Sequence, residues 1–338
     1  MSGRFRLRLP TTLISLRHRN YRLLWFGTMA SQSGDWMDNV AFSWLVYDMT
    51  HSTVSLALVN VCRALPILFF TLIAGVVADR LERRKVLFVT QTILMVLAFL
   101  LAGMLSLGLI KVWMVFVIAI ARGVTNSFNQ PARQSLISDL VPAEDLSNAV
   151  ALNSATLNLT RVIGPAIGGI LIATVGVSGA FYLNGISFVA VLYSLALMRF
   201  PDREPTATKG VLQDLVAGMR YLRGQAQLRT LVILALVPLI LGQPYQTMLT
   251  VFAKDVFNTG GAGLGLMQSM AAIGAVIGAI VVASSRGSER FNQQMLIGLL
   301  GFGVSLLLFV ISPSLLLAIP ALLFVGLSMQ IYQTSNKR

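Results

Sequence analysis

Charged residues inside long apolar stretches are the part of this sequence that could do chemistry. Five charges fall within stretches long enough to cross a membrane: Asp35, Asp38, Arg63, Arg122 and Arg161. A charge in a bilayer is costly, so such residues persist where they pair, bind a ligand or carry a proton. Counted along each predicted helix at about 1.5 Å per residue, all five lie at a similar depth, slightly outward of the membrane midplane. Substrate and ion sites of membrane carriers lie near that depth.

Two interpretations of this cluster stay open. In the first, the charges form buried ion pairs, such as Asp38 with Arg63 on the adjoining helix, that only fix helix packing. In the second, an aspartate takes up and releases a proton while an arginine balances its charge, and Asp35 is favoured because it lies deeper than Asp38. These two aspartates are three residues apart and share a helix face. With both ionised the cluster is net positive, so we expect it to tolerate an anionic or polyhydroxylated substrate.

The composition predicts helices that span a membrane. The 338 residues are 56% hydrophobic and 12% charged, with a mean hydropathy of +0.76, which excludes an ordinary soluble domain. Apolar runs of about 20 residues predict transmembrane helices, because open strands cannot satisfy their backbone groups in lipid. We predict an all-α polytopic membrane protein of about ten helices. The predicted spans are 21–47, 54–78, 86–108, 112–131, 147–175, 179–199, 228–252, 262–284, 291–311 and 313–334.

The distribution of charge predicts the orientation in the membrane. The net charge is +13, from 26 basic and 13 acidic residues. The basic residues lie between apolar runs and form no continuous stripe, so we expect no nucleic-acid partner. Most of them fall in the N-terminal tail and in loops on one side, whereas the other side has only Lys111 and Lys254. The positive-inside rule then predicts a multi-pass protein of the plasma (inner) membrane with a cytoplasmic N-terminus.

One long loop divides the chain into two unequal parts. Residues 200–227 open with a proline-rich stretch and continue as an amphipathic helix, which predicts a cytoplasmic linker. A weak internal repeat supports the division, because Val76-Val77-Ala78 recurs as Val281-Val282-Ala283. The predicted domains are a cytoplasmic tail at 1–20, a six-helix bundle at 21–199, the linker at 200–227 and an incomplete four-helix bundle at 228–338.

The segment from Gly75 to Lys85 is the most specific motif. It reads Gly-Val-Val-Ala-Asp-Arg-Leu-Glu-Arg-Arg-Lys and is similar to the signature between the second and third helices of the major facilitator superfamily, with Glu82 where that family usually has glycine. The resemblance implies two helical bundles, with this motif latching them on the cytoplasmic side and Gly75 permitting close helix approach. The alternative is a basic loop that only sets topology. The residues that the resemblance assigns to the gate are Gly75, Asp79, Arg80, Arg83 and Arg84.

The fifth span resembles a second pattern of the same superfamily. It contains a Gly-Pro-x-x-Gly-Gly core like that of the antiporter motif in the fifth helix of exporters, although Ala151 and Thr160 replace two upstream glycines. Small residues and a proline let such a helix pack closely, bend or seal between bundles. Plain helix packing is the alternative. The core consists of Gly164, Pro165, Gly168 and Gly169.

Further resemblance points to one branch of the superfamily. Arg122 matches an intramembrane arginine of the family, and segments 20–25 and 128–133 look like the secretion and efflux branch that includes the enterobactin exporter. This implies export of a small molecule, a siderophore, drug or metabolite, by alternating access with proton antiport. Two alternatives stay open: a proton-coupled uptake carrier of the same fold, and a membrane sensor or inactive truncated remnant that binds without cycling.

We expect neither a cofactor nor enzymatic activity. No nucleotide-binding loop motif occurs, and Cys62, His18 and His51 cannot build a Cys/His metal site. The expected partners are a small-molecule substrate, protons and the lipid bilayer. Unpaired amides are costly in lipid, so amides within spans are candidates for lining a cavity. These candidates are Asn126, Asn153, Asn158, Gln243, Gln246 and Gln268.

The helix number adds one expectation. A major facilitator has twelve helices, and the eleventh would be the partner of Asp79. A chain of about ten helices would lack that partner. The resemblance therefore predicts that residues 1–338 alone are destabilised or transport-incompetent unless a longer reading frame or a second chain supplies the rest.

Overall fold

The computed structural model describes residues 11–198, 244–284 and 291–335, and within these ranges the side chains at 11–12, 71–72, 76–80 and 291–292 lie outside the description. The described residues form helices and short connections. Within the described ranges, a 3₁₀ segment, Thr11–Arg17, precedes nine α-helices, and a π-helical turn, Phe252–Val256, follows the sixth of them. The α-helices are α1 (Arg19–Thr50), α2 (Thr53–Arg80), α3 (Arg83–Ser106), α4 (Val112–Leu140), α5 (Ala143–Leu197), α6 (Pro244–Val251), α7 (Gly260–Ser284), α8 (Phe291–Val310) and α9 (Leu315–Ser335).

The 55-residue α5 is two spans joined at Gly176. This glycine has φ +78° and ψ 175°, a conformation that favours glycine and turns the chain back on itself. The two halves run in opposite directions along α1. The contacts that show this are Tyr21 with Ala149 and Met37 with Gly168 in the first half, and Gly27 with Ser194 and Phe42 with Phe181 in the second. We call α1–α5 the first bundle.

Helices α6–α9 form the second bundle, which packs on the first through α7. Helix α7 runs opposite to the first half of α5, because Gly261 lies against Ile172 whereas Ser269 donates a 2.7 Å hydrogen bond to the carbonyl of Val162. Helix α9 runs parallel to α7. Contacts of Gly274 with Leu323 and of Gly278 with Leu327 and Gln330 fix that direction.

The two ends of the molecule can therefore be named. We call the end where α1 begins, and where α7 and α9 finish, the basic end, because Arg17, Arg83 and Arg84 lie there. The other, where α1 finishes at Thr50, is the opposite end.

Seven of the described helices, α2–α5 and α7–α9, are long and apolar enough to cross a membrane. Helix α5 supplies two crossings because it reverses at Gly176, and α1 is 32 residues long but contains more polar residues. Large apolar side chains such as Leu68, Leu300 and Leu316 are exposed on the outside of the bundles, as expected of a surface that faces lipid. The prediction of an all-α polytopic fold is confirmed. The predicted linker 200–227 and most of the predicted span 228–252 lie outside the described residues.

One predicted boundary is wrong. The fourth span was expected to end at Pro131 and to be followed by a loop, but α4 continues through Pro131 to Leu140. Proline is tolerated inside transmembrane helices where neighbouring groups satisfy the freed backbone. Arg133, which the sequence placed in that loop, is consequently a helical residue and only 5% exposed.

Candidate functional site: two arginine centres and a cavity between the bundles

A buried ion pair joins α1 to α4 inside the first bundle. Asp38 is 3% exposed and Arg122 is 4% exposed, and Oδ2 of the aspartate accepts a hydrogen bond from the guanidinium. The pairing of Asp38 with Arg63, given above as an example of a buried ion pair, is thus replaced by that of Asp38 with Arg122. Arg63 instead donates a 2.9 Å hydrogen bond to Oδ1 of Asn39. Both guanidinium groups lie over the ring of Phe42, at 5.4 Å for Arg63 and 5.3 Å for Arg122.

Asp35 lies near this pair but is not part of it. It makes no hydrogen bond or ion pair with the described side chains, although the charges of Arg133, Asp38, Arg122 and Arg63 act on it, with Arg133 the strongest. Four of the five charges predicted from the sequence thus come together, and Arg133 joins them.

The sequence does not identify Arg133 as an interior charge, because Pro131 predicts a helix end before it. A signal was nevertheless available, since Arg133 follows Arg122 by 11 residues, which is three helical turns. Arg133 donates a 3.2 Å hydrogen bond to Asn129, whose amide donates in turn to Thr90 at 3.2 Å. This places a second buried arginine on the face of α4 that carries Arg122.

The fifth predicted charge, Arg161, lies apart, on a cavity between the bundles. Its guanidinium lies 5.7 Å above the ring of Trp36, and no carboxylate of the described residues pairs with it. Two adjoining cavities, with about 310 and 330 Å³ of empty space including their openings, share Arg161, Tyr245, Gln246 and Ala271. The second extends towards the basic end, because it is lined by residues from the last turns of α9. Its lining there includes Met329, Gln330 and Gln333.

The amide side chains divide into those that line the cavities and those that do not. Gln246 and Gln268, predicted as cavity residues, do line them. Asn126, Asn153 and Asn158 do not appear in the lining, and Asn158 is exposed and donates a 3.0 Å hydrogen bond to the carbonyl of Ser154. Gln243 lies outside the described residues.

Gln330 and Gln333 were missed by the sequence reasoning. Their spacing of three residues, which puts two amides on one helix face, could have identified them.

The antiporter-like segment packs on two neighbours at once. Gly164 and Gly168 face α1, where a side chain at Gly168 would come within 2.9 Å of the Met37 Cα. Gly169 faces the other way, and a side chain there would come within 2.5 Å of the Gly261 carbonyl and 2.9 Å of the Gly265 Cα. This glycine therefore lies where the bundles meet.

The partner surface on α7 was not predicted. Gly261 and Gly265 are four residues apart, the small-residue spacing typical of close helix contacts in membranes, and that spacing was the available signal. A side chain at Gly265 would clash with the carbonyl of Pro165. The bundles thus meet backbone to backbone near the opposite end.

The hydrogen bonds of Arg83 and Arg84 with described residues lie within the first bundle. Arg83 donates hydrogen bonds to Asp139 at 2.7 Å and to the Ser135 carbonyl at 2.9 Å, and Arg84 donates to the Leu195 carbonyl at 3.0 Å. These contacts tie α3 to α4 and α5 within the first bundle.

The expectation that Gly75 permits a close helix contact stays a prediction. No atom of the described residues lies within 4 Å of the place where a Gly75 side chain would begin. The side chains of Asp79 and Arg80 lie outside the description.

The opposite end is closed by polar contacts between the bundles. Lys254 and Asp255, neighbours in the π-helical turn, bind Asp48 and Tyr47 at the end of α1. Such turns inside helices occur often at functional sites. Lys254 also lies 5.6 Å above the ring of Trp44.

The basic end holds a charge cluster that belongs to the first bundle. Asp145, at the start of α5 and before the predicted span, accepts hydrogen bonds from Arg17 at 2.8 Å and, when the ring is so protonated, from His18 at 2.7 Å. Hydrogen bonding to His18, followed by that to Arg17, holds the pKa of the Asp145 carboxyl below its usual value. Ser15 adds a 2.7 Å hydrogen bond to Asn148. Together these contacts fasten the 3₁₀ segment to α5.

Two helical bundles around a central cavity, with charges at membrane depth and one closed end, define the class of the secondary transporters rather than of an enzyme. Comparison with known proteins identifies the family. The profile described as transmembrane secretion effector matches residues 10–335, and the chain belongs to this family of major facilitator transporters. It is thus a multi-pass integral membrane protein that transports small molecules.

The relatives include a transporter and an exporter that are named for the compounds they carry. The chain is 27% identical over 306 residues to the staphyloferrin A transporter of Staphylococcus aureus, covering 90% of this chain and 77% of that protein. It is 29% identical over 290 residues to the enterobactin exporter EntS of Shigella flexneri, covering 82% of this chain and 66% of that protein.

Solved structures confirm the fold. A bacterial homolog of the human lysosomal transporter Spinster, in an inward-facing and occupied conformation, superposes with a TM-score of 0.71 at 14% identity, covering 94% of this chain and 73% of that one. The chain thus spans between about two thirds and three quarters of the length of these proteins.

Proposed function

We propose that this protein exports a small organic molecule across the plasma (inner) membrane by alternating access, driven by inward proton flow. The observation that carries the proposal is the cavity at Arg161, which lies between the bundles and extends towards the basic end while contacts between the bundles close the opposite end. The excess of basic residues at the basic end supports its placement in the cytoplasm, together with the N-terminus. The cavity would then be loaded from the cytoplasm.

Asp35 and Asp38 differ in their contacts, and this difference supports proton coupling through Asp35. Asp38 is committed to Arg122, whereas Asp35 is half-buried and makes no ion pair with the described residues. A carboxylate free to gain and lose a proton beside three arginines can change the local charge balance and so bias one conformation over the other. The charges that act on Asp35 in this proposal are those of Asp38, Arg63, Arg122 and Arg133.

The glycine-rich motif of α5 and the gate motif would form the surfaces at which the two bundles move against each other. We assign to Gly164 and Gly168 the fixed packing on α1, and to Gly169 the sliding contact with Gly261 and Gly265 of α7. Arg83 and Arg84 would brace the first bundle at the basic end, which lets residues 21–199 move as one body against residues 228–338. Gly75, Asp79 and Arg80 complete the gate motif in this proposal, with 200–227 as the linker.

Everted membrane vesicles test this function. Vesicles that contain the full chain are energised and offered three compounds in turn: staphyloferrin A and enterobactin, which the names of two relatives give, and dansylglycine, a small organic molecule with one carboxylate. We expect accumulation of at least one of them, and we expect a protonophore to abolish it. Asp35→Asn should lose accumulation against a gradient but keep downhill exchange, whereas Glu144→Gln, which removes an exposed carboxylate at the basic end, should keep both.

Three other outcomes would each contradict one part of the proposed function. Full proton-driven accumulation by Asp35→Asn would contradict the coupling assignment. Accumulation in right-side-out vesicles instead of everted ones would identify an uptake carrier. Ligand binding with neither uptake nor exchange in either orientation would identify a sensor and reject transport.

A further inference from the structure

The arginines of the first bundle and Arg161 differ in how their charge is balanced. Arg122 has Asp38, and Arg63 and Arg133 lie within the electrostatic reach of Asp38 or Asp35. Arg161 has an aromatic ring beneath it and no carboxylate partner among the described residues. A guanidinium at membrane depth that no described carboxylate balances is costly, which makes Arg161 a candidate for binding a ligand.

The walls around Arg161 are neutral. The described lining of the two cavities contains hydrogen-bonding side chains and apolar ones but no aspartate or glutamate. The hydrogen-bonding groups include Gln246, Gln268, Gln330 and Gln333, and Trp36 presents an aromatic face. The cavity therefore offers one positive charge, several neutral donors and acceptors, and an aromatic wall.

From this arrangement we propose that the transported substrate is an organic anion with a single carboxylate, which Arg161 binds above Trp36 while the glutamines bind its hydroxyl or amide groups. This inference rests on the proposed function and gives it a substrate class. The carboxylate would replace the missing counter-charge of Arg161, and its planar geometry matches the two parallel donors of a guanidinium.

Charge balance separates this class from two others. A phosphate monoester carries about −1.5 to −2 charges at neutral pH and would leave negative charge uncompensated beside one arginine. An amphipathic cation would meet Arg161 with no acidic group of the described lining to offset the repulsion. A singly charged carboxylate is the class that leaves the cavity neutral.

Three dansyl probes of similar size and different charge test the proposal: dansylglycine carries a carboxylate, dansylglycinamide is neutral and dansylcadaverine is cationic. Each is titrated into the purified full chain in detergent while tryptophan is excited and sensitised dansyl emission is recorded. We expect dansylglycine to bind at least about tenfold more tightly than either other probe, equal to about 1.4 kcal/mol. Arg161→Gln should remove this preference, and Arg161→Lys should keep only part of it, because the charge remains but the two parallel donors of the guanidinium are lost.

Arg22→Gln is the matched control, because it removes the same charge from an exposed residue of α1 outside the cavity lining. It should bind dansylglycine as the wild type does. The proposal is overturned if wild-type protein binds dansylglycinamide or dansylcadaverine as tightly as dansylglycine, if dansylglycine does not bind, or if Arg161→Gln keeps the preference. These readouts on wild-type protein need no variant to fold.

The assay also needs no transport. Intact anion selectivity without proton-driven transport would overturn only the proposed function, whereas proton-driven transport without anion selectivity would overturn only this inference.

Discussion

The interior of the first bundle and the interface between the bundles each contain an arginine at membrane depth, in different surroundings. Arg122 is enclosed and paired with Asp38, whereas Arg161 lies on a cavity lined by amides and an aromatic ring. The glycines differ in the same way. Gly168 packs within the first bundle, but Gly169 meets the second bundle. Adjacent residues of one motif thus pack in two directions, one inside a bundle and the other across the interface between the bundles.

The largest expected effect comes from breaking the interior pair. Asp38→Ala leaves Arg122 buried without its counter-charge, which should lower the free energy of unfolding by about 3–5 kcal/mol. Unfolding in detergent, followed by tryptophan fluorescence, measures this loss. The double variant Asp38→Ala/Arg122→Leu should recover much of it because no charge remains unpaired. A loss under about 1 kcal/mol in the single variant would show that the pair does not hold the interior together.

A smaller effect is expected where the bundles meet. Gly265→Ala puts a side chain against the Pro165 carbonyl, which should push α7 away from α5 and cost about 1–3 kcal/mol in the closed conformation. Cysteine labelling of the cavity from the opposite end should therefore increase. Gly303→Ala in α8, where the new side chain meets no atom of the described residues within 4 Å, is the control and should label as the wild type does. Equal labelling of both variants would contradict a tight seal at Gly265.

The polar latch at the opposite end should matter less. Lys254 and Asp48 are partly exposed, and such pairs contribute about 0.2–1 kcal/mol, so Lys254→Gln should shift the conformational equilibrium by about fivefold at most. Distances between spin labels on the two bundles would report the shift. Lys254→Asp combined with Asp48→Lys should restore the original distribution. Failure of this exchange to restore it would indicate that the π-helical turn, not the charge pair, holds the end closed.

The smallest expected effect is on the stability of the first bundle, where the contribution of Asp145 depends on pH. The folded Asp145 carboxyl has a lowered pKa, so its ionised form stabilises the fold above the unfolded pKa of about 3.9. This contribution should disappear as pH falls through the folded pKa. Thermal unfolding of wild type and Asp145→Asn between pH 3 and 7 should show a difference at neutral pH that closes in acid. A difference that is constant with pH would contradict ionisation as its source.

The sequence predicted the helices well because apolar runs mark spans directly. It also identified the intramembrane charges as candidates, since a charged side chain in a membrane span is energetically costly wherever it occurs. It could not assign their partners, because the choice of Arg122 over Arg63 for Asp38 depends on how α1, α2 and α4 pack. It treated five charges as one cluster for the same reason, whereas the structure sets Arg161 apart.

The missed residues show where local patterns fail. Pro131 suggested a helix end, but α4 continues beyond it and carries Arg133 into the interior. Gly261 and Gly265 have meaning only opposite Gly169, a contact between residues about a hundred positions apart in the chain. Sequence spacing reveals which residues share a helix face and does not reveal which helix that face meets.

We propose that the Arg161 cavity opens to the cytoplasmic side while the opposite end is closed. Gln246→Cys in a Cys62→Ala background places one thiol in the lining, and a membrane-impermeant maleimide labels it from one side at a time. We expect the maleimide to label this thiol in inside-out vesicles and to label it little in right-side-out vesicles. Gly265→Ala should increase labelling in the latter. Equal labelling from both sides, or labelling only in right-side-out vesicles, would contradict the account.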